Sequence, residues 1–429
     1  MLPFAVGGAN NAVLNAATAV LDLGWVAFAL ATLPSDRRLV ARMAPVALPA
    51  CLLLGWTALP FFPGIAPDLI ARPAAPDLLA LGWCHAFSLV ALLVGCATAG
   101  RVPGFAYATA TWLCLFAGVL IAVTLGLRAF GDPEMMQRVI VDHRYHRFAG
   151  LMGNANAAGI GYGMMSLLLH GIARDRWRAW RTQPHGHIPI AATIAALGSV
   201  IALSLVALSQ SRTALAAVAV AQLAYAAGFP AIPRAGRGWL PAIVLLGLAV
   251  VLGLSSGSAL SRYGALGDDG SGRLSVLRHY ADLARTAPLS GYGLGGFDAV
   301  NQRDLTSETV LLVGDFGAAH NVILQLAIEA GWPGVVLLLA TLAALVVRVA
   351  RTPMIGSDRS NAIARAMLFA VAVAVVGSMV DIALNVPAIA ALSTALLGIV
   401  WGRTLRDDPR PRPPRAPHPA PWPIAAIRS

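Results

Sequence analysis

Lysine is missing altogether. All 31 strongly basic side chains are arginines, so the chain has no amine for Schiff-base chemistry and no lysine general base. Charge of either sign is scarce: 12% of the 429 residues are charged, roughly half the share of an ordinary soluble domain. Cysteine is scarce too. Cys51, Cys84, Cys96 and Cys114 all fall inside apolar runs without metal-ligand spacing. They read as small buried apolar residues, which excludes a disulfide framework and a zinc site. No cluster of His, Asp and Cys has metal-site spacing, so the expectation is no metal and no cofactor. A basic stretch followed by a small-residue cleavage site is absent from the first residues, so the first apolar run is expected to be a retained span.

What is present is apolar sequence, 58% of the chain, in blocks of about 20 residues, the length that crosses a bilayer. The runs fall at roughly 10–32, 39–60, 78–99, 104–127, 149–171, 188–208, 213–229, 239–257, 333–349, 364–387 and 388–402. They predict an all-α polytopic membrane protein with about eleven helices (ten to twelve). Residues 1–257 would hold the first eight spans, 258–332 a long, partly helical hydrophilic loop, and 333–402 the last spans. The Pro- and Arg-rich stretch 403–429 reads as a disordered basic tail at the membrane surface.

Orientation follows from arginine in the short loops. Arg37 and Arg38, Arg101, the group Arg174 to Arg181, Arg234 with Arg237, Arg348 with Arg351 and Arg359, and Arg403 with Arg406 lie on one side of successive spans. That side is expected to be cytoplasmic. These residues account for most of the net charge of +11 as topology determinants and contacts to anionic membrane lipids, and no nucleic-acid motif accompanies them. A second set breaks the rule and falls on the opposite side: Arg128, Arg138, Arg144 and Arg147; Arg212; and Arg262, Arg273, Arg278, Arg285 and Arg303. A guanidinium fork suits phosphate oxygens. Each of these arginines either helps to hold a diphosphate at headgroup level, or snorkels or pairs with a carboxylate such as Asp142, Asp282 or Asp304.

Four elements then resemble one family. His146-Arg147-Phe148-Ala149-Gly150-Leu151-Met152-Gly153-Asn154-Ala155-Asn156 is similar to its R-x-x-G-x-x-x-N-x-N span entry, and Ser209-Gln210-Ser211-Arg212 to its S-x-S-R element. Gly272-Arg273-Leu274, followed by Pro288 and Gly291-Tyr292-Gly293-Leu294-Gly295-Gly296-Phe297, resembles its loop pattern. His320-Asn321 through Leu324, then Glu329 to Gly334, resembles the H-N-x-x-L and E-x-G-x-x-G closure. The family is the O-antigen ligase and polymerase superfamily, of Wzy_C type. The resemblance implies a GT-C-like membrane fold and a metal-independent glycosyltransferase of the bacterial inner membrane, working at the periplasmic face. Its donor would be an undecaprenyl-diphosphate-linked glycan. The acceptor would be lipid A-core in the ligase branch, another repeat unit in the polymerase branch, or a protein Ser or Thr in a third. By the same resemblance Arg212 and Arg273 would grip the diphosphate and His320 would engage the acceptor hydroxyl; Arg147, Ser211, Arg278, Asn321 and Gly293 complete the candidate substrate-binding set.

The chemistry of the residues is compatible with those roles. Displacing a diphosphate builds negative charge on the leaving group, which fixed cations offset. A base that titrates near neutrality helps the attacking hydroxyl, and among the loop's side chains that is His320. It is alternatively an interfacial histidine bonded to loop backbone. Ser209 or Ser211 reads as a cap for a helix starting near Thr213. Val322 to Ile328 reads as a short helix before the break at Gly331-Trp332-Pro333-Gly334. Gly291-x-Gly293-x-x-Gly296 formally matches a dinucleotide fingerprint but lacks the flanking strand and helix, so cofactor binding is rejected. Its glycines serve tight turns or let amides approach phosphate. Asn154 and Asn156 bond other helices or the glycan. Asp381 with Asn385 either orients an outer arginine or bonds between helices.

A lipid-linked glycan transporter is the rival class. It predicts symmetric halves and broken helices at the midplane, and the sequence has no such repeat. A non-catalytic scaffold leaves the Arg and His elements unexplained. Within the family, one long loop near the C-terminal side and no large appended domain favour ligase over polymerase, with a protein-directed transferase behind both.

Overall fold

The computed structural model describes residues 12–32, 37–67, 70–131, 141–142, 147–181, 189–227, 266–351 and 359–406. Thirteen α-helices are described: α1 Ala12–Thr32, α2 Arg37–Ala58, α3 Pro76–Gly100, α4 Phe105–Phe130, α5 Ala155–Arg181, α6 Ile190–Leu208, α7 Arg212–Ala227, α8 Leu266–Thr286, α9 Phe297–Arg303, α10 Val310–Val313, α11 Val322–Ala350, α12 Arg359–Ser378 and α13 Pro387–Thr404. The strands are two residues each, β1 Val141–Asp142 and β2 Arg147–Phe148, paired antiparallel. The protein is an all-α polytopic membrane protein. Seven helices among the described residues are long and apolar enough to cross a bilayer: α2 with its extension to Phe61, α3, α4, α6, α11, α12 and α13. α7 is apolar but only 16 residues long. The predicted run 239–257 lies outside the described residues, as does the tail 407–429.

α5 is the axis of the bundle. From Ala155 to Asp175 every residue except Asn156 is buried, and the helix packs against α4, α6, α7 and α12. Its many small residues let the neighbouring helices come close on every side. At Gly159 a Cβ would stand 2.7 Å from both the Ser209 hydroxyl and the Ala214 methyl, so the turn before α7 rests directly on α5.

Helices alternate in direction, so the connections sort to two ends. At the lower end Arg403 donates to Asn361 and Arg406 donates to the carbonyls of Gly100 and Val102. Residues 403–406 therefore finish and anchor α13, where the sequence suggested the start of a disordered tail. The upper end gathers the starts of α3, α5, α7, α11 and α13. It also carries a small separate core in which Tyr280, Leu283, Phe297, Val300 and Val313 of α8–α10 pack on Ala327, Ile328 and Val335 of α11.

Two boundaries differ from the sequence reading. The run read as 333–349 belongs to the longer α11, which is kinked at Gly331 (φ 68°, ψ 173°). The run read as 364–387 stops at Ser378, and residues 379–386 form a turn. Ser378 accepts the Leu384 amide there, and Pro387 opens α13, a position where its missing N–H costs no helical hydrogen bond.

Candidate functional site

His320 sits immediately before α11, with a backbone φ of 52°. A left-handed non-glycine residue persists only where its neighbours impose it. Asn321 does so on one side. Its Oδ1 accepts the amides of Ile323 and Leu324, capping the helix, and its Nδ2 donates to the Met379 carbonyl at 2.8 Å. This ties the start of α11 to the turn after α12. The Phe316 ring lies 4.6 Å from the imidazole, centre to centre.

That turn carries Asp381. His320 Nδ1 stands 3.5 Å from Asp381 Oδ1, an ion-pair distance rather than a short hydrogen bond. The carboxylate is itself fixed: Oδ1 accepts the Ile382 amide at 2.8 Å and Oδ2 accepts from Asn156 Nδ2. Asp381 is buried, whereas the His320 side chain is 32% exposed. The imidazole thus stands between a buried carboxylate and the surface, with Nδ1 facing the acid. A carboxylate fixed on one side of an imidazole orients the ring.

Asn156 stands at the start of α5, where the Asn154 side chain caps the helix by accepting the amides of Asn156 and Ala157. Asn156 and Gly159 are three residues apart on α5 and share a face. The first supports Asp381 and the second receives the Ser209–Arg212 turn. His320 and Arg212, more than a hundred residues apart in sequence, are therefore both referred to the first turns of one buried helix.

Arg212 is the first residue of α7 and half-buried. Ser211 carries the cap, its hydroxyl accepting the Ala214 amide at 3.3 Å. Ser209 donates to the Val206 carbonyl and accepts the Ser211 amide. Gln210 between them has φ 52°, the other left-handed non-glycine residue among those described. Arg147 lies on β2, next to the α5 entry. Arg278 is exposed on α8 with no hydrogen-bond partner among the described residues. Arg273 lies within α8, but its side chain falls outside the described residues.

Three residues expected to touch substrate have other partners. The Gly293 amide donates to the Glu329 carbonyl at 2.9 Å, and its φ of 87° places Pro73 and Leu79 where a side chain would be. It closes the turn, and its amide is taken up by that carbonyl. Asn321 uses both ends of its amide to cap α11 and hold Met379, so it positions His320. The Ser211 hydroxyl serves its helix. Asp381, expected to orient an arginine or bond between helices, faces His320 and Asn156. The signal for it was its acidity beside an apolar run, but no local pattern names its partner. Among the described residues no three His, Cys, Asp or Glu side chains come together.

Residues 197–339 match the family model described as O-Antigen ligase. The match covers about a third of the chain. It spans the Ser209–Arg212 turn, α8–α10, His320 and the kink of α11. The matched stretch does not contain the whole group around His320, because Asn156 precedes it and Asp381 follows it. No curated protein matches the chain.

Proposed function

We propose that this protein transfers a glycan from a polyprenyl diphosphate, undecaprenyl diphosphate in a bacterial inner membrane, to an acceptor hydroxyl at its upper end. The reaction is the ligation of O-antigen to lipid A-core in lipopolysaccharide biosynthesis. The upper end faces the periplasm, because the arginines of the short loops collect at the lower end and positive residues stay in the cytoplasm. The observation that carries the reading is the Asp381–His320 pair, held on the same turns of α5 as Arg212.

In this reading the acceptor oxygen attacks the anomeric carbon and the bond from that carbon to the diphosphate oxygen breaks. The hydroxyl proton passes to His320 Nε2, and Asp381 stabilises the imidazolium. The leaving diphosphate takes up two electrons and its charge is met by Arg212 and Arg273, with Arg147 and Arg278 nearby on the same end. The helix starts of α5, α7 and α11 add partial positive charge there.

The test is transfer in proteoliposomes from undecaprenyl-diphosphate glycan to lipid A-core, with chelator present. Arg212→Ala, Arg273→Ala and His320→Ala, each checked for fold, are expected to abolish it. Chain elongation without core would reassign the protein to repeat-unit polymerisation. Absence of transfer to core, repeat units or peptide would overturn the reading.

A further inference from the structure

The first two turns of α11 carry a second polar system that the reaction above does not use. Gln325 and Glu329 are four residues apart, so their side chains meet on one helix face. Gln325 Oε1 accepts the Ala319 amide at 2.8 Å, directly before His320, and Gln325 Nε2 donates to Glu329 Oε1 at 2.9 Å. The same carboxylate oxygen accepts the Phe297 amide at 3.3 Å, at the first residue of α9. One carboxylate oxygen thus joins a side-chain donor on α11 to a backbone donor from another turn.

The two turns so joined lead to opposite sides of the site. Ala319 precedes the left-handed His320, and its amide bond to Gln325 together with the Asn321 cap holds that turn from both sides. Phe297 packs edge-on against Tyr280 of α8, with ring centres 5.1 Å apart, and α8 is the helix that carries Arg273 and Arg278. The backbone reinforces the junction: Tyr292 and Gly293 donate to the carbonyls of Ile328 and Glu329, and Trp332 Nε1 donates to the Ala284 carbonyl.

We propose that Gln325 and Glu329 form a positioning relay that sets His320 against the arginine-bearing helix α8, and so fixes the distance between proton acceptor and leaving group. The proposal rests on the transfer reaction given above. Neither residue touches substrate; each acts through the turn it holds.

The experiment compares Glu329→Ala, Glu329→Gln, Gln325→Glu and the exchange Gln325→Glu/Glu329→Gln in the proteoliposome assay, with hydrogen exchange on the same folded proteins. Glu329→Ala should lower kcat by about 100-fold, the cost of a misplacement near 1 Å, with the donor KM little changed. Gln325→Glu alone removes the Nε2 donor to Glu329 and should lose as much. The exchange restores a donor facing an acceptor between the two positions, because Glu at 325 accepts from Ala319 and from Gln at 329. It should recover at least about tenfold over the single change, and Glu329→Gln should stay closer to wild type than Glu329→Ala. In Glu329→Ala the amides of 316–321 and 295–299 should exchange about tenfold faster or more as the turns open. An exchange variant no better than Gln325→Glu, or Glu329→Ala with wild-type kcat, overturns the relay while leaving the transfer reaction standing. A wild-type protein without any transfer activity overturns the functional reading itself, and unaltered amide exchange in Glu329→Ala then overturns the relay independently.

Discussion

Replacing Asp381 by Asn tests the central pair with the side chain's shape kept: the charge is removed, and the oxygen that accepts from Asn156 Nδ2 becomes an NH2 group. An amide oxygen at the Oδ1 position still accepts the Ile382 amide, so the turn after α12 retains that bond. The larger change is in the interaction with an imidazolium on His320. At 3.5 Å two unit charges attract by about 1.2 kcal/mol in water and about 4.7 kcal/mol at an effective dielectric of about 20. A buried acid facing a histidine whose side chain is 32% exposed lies between those limits, at roughly 2–3 kcal/mol. If that stabilisation is present in the transition state and absent before proton transfer, its loss slows the chemical step by about 30- to 150-fold. Single-turnover transfer in proteoliposomes, with donor and acceptor saturating, measures the step directly. Asn156→Ala, which removes the support of the other carboxylate oxygen, should give a smaller loss in the same direction. Asp381→Asn at the wild-type rate, in a protein where His320→Ala is inactive, would refute the pairing as a catalytic device.

Ser211→Ala should lower stability by about 1 kcal/mol, the usual worth of a helix cap, and leave transfer per folded molecule nearly unchanged; a thermal melt in detergent beside the activity assay separates the two. Gly331→Ala should be far more damaging, because the added carbon would meet the Leu289 carbonyl oxygen and φ is 68°; a loss above about 3 kcal/mol is expected, read as a large drop in melting temperature or as loss of folded protein. Tyr280 is buried against Asn301 Oδ1, and burial pushes its phenol above the ordinary range. An acid whose folded pKa is raised contributes stability that is full below the unfolded value, near 10, and declines as pH climbs above it. The α8–α10 region should therefore open above about pH 10, and Tyr280→Phe should remove that dependence, as judged by hydrogen exchange corrected for intrinsic rates.

Much of this protein was legible from composition and local pattern. Membrane helices are specified by the length and apolarity of single segments, because lipid demands that every backbone polar group be satisfied within the segment. Ten of the eleven apolar runs coincide with a described helix. The sorting of short-loop arginines to one side of the chain is likewise a property of successive segments. The cap at Ser211 follows from a side chain that reaches only three residues; those at Asn154 and Asn321 are equally local but were not read from the sequence. Order of motifs was enough to pick out the superfamily whose model matches 197–339.

What the chain alone left open depends on contacts between segments far apart in sequence. Asp381 was visible as an acid at the edge of a span, but whether it would face an arginine, a helix neighbour or His320 is decided by how α12 ends and where α5 begins. Gly293 and Asn321 looked free to meet phosphate and glycan until the turns around them were placed, and then their polar groups had partners. Glu329 and Gln325 had an obvious helical spacing, yet the amides they hold, at Ala319 and Phe297, belong to other turns. Periodicity and motif specify what a segment is because those forces act within it. Which polar group answers which is settled by packing, since a buried donor or acceptor must find a partner among whatever the fold brings within about 3 Å.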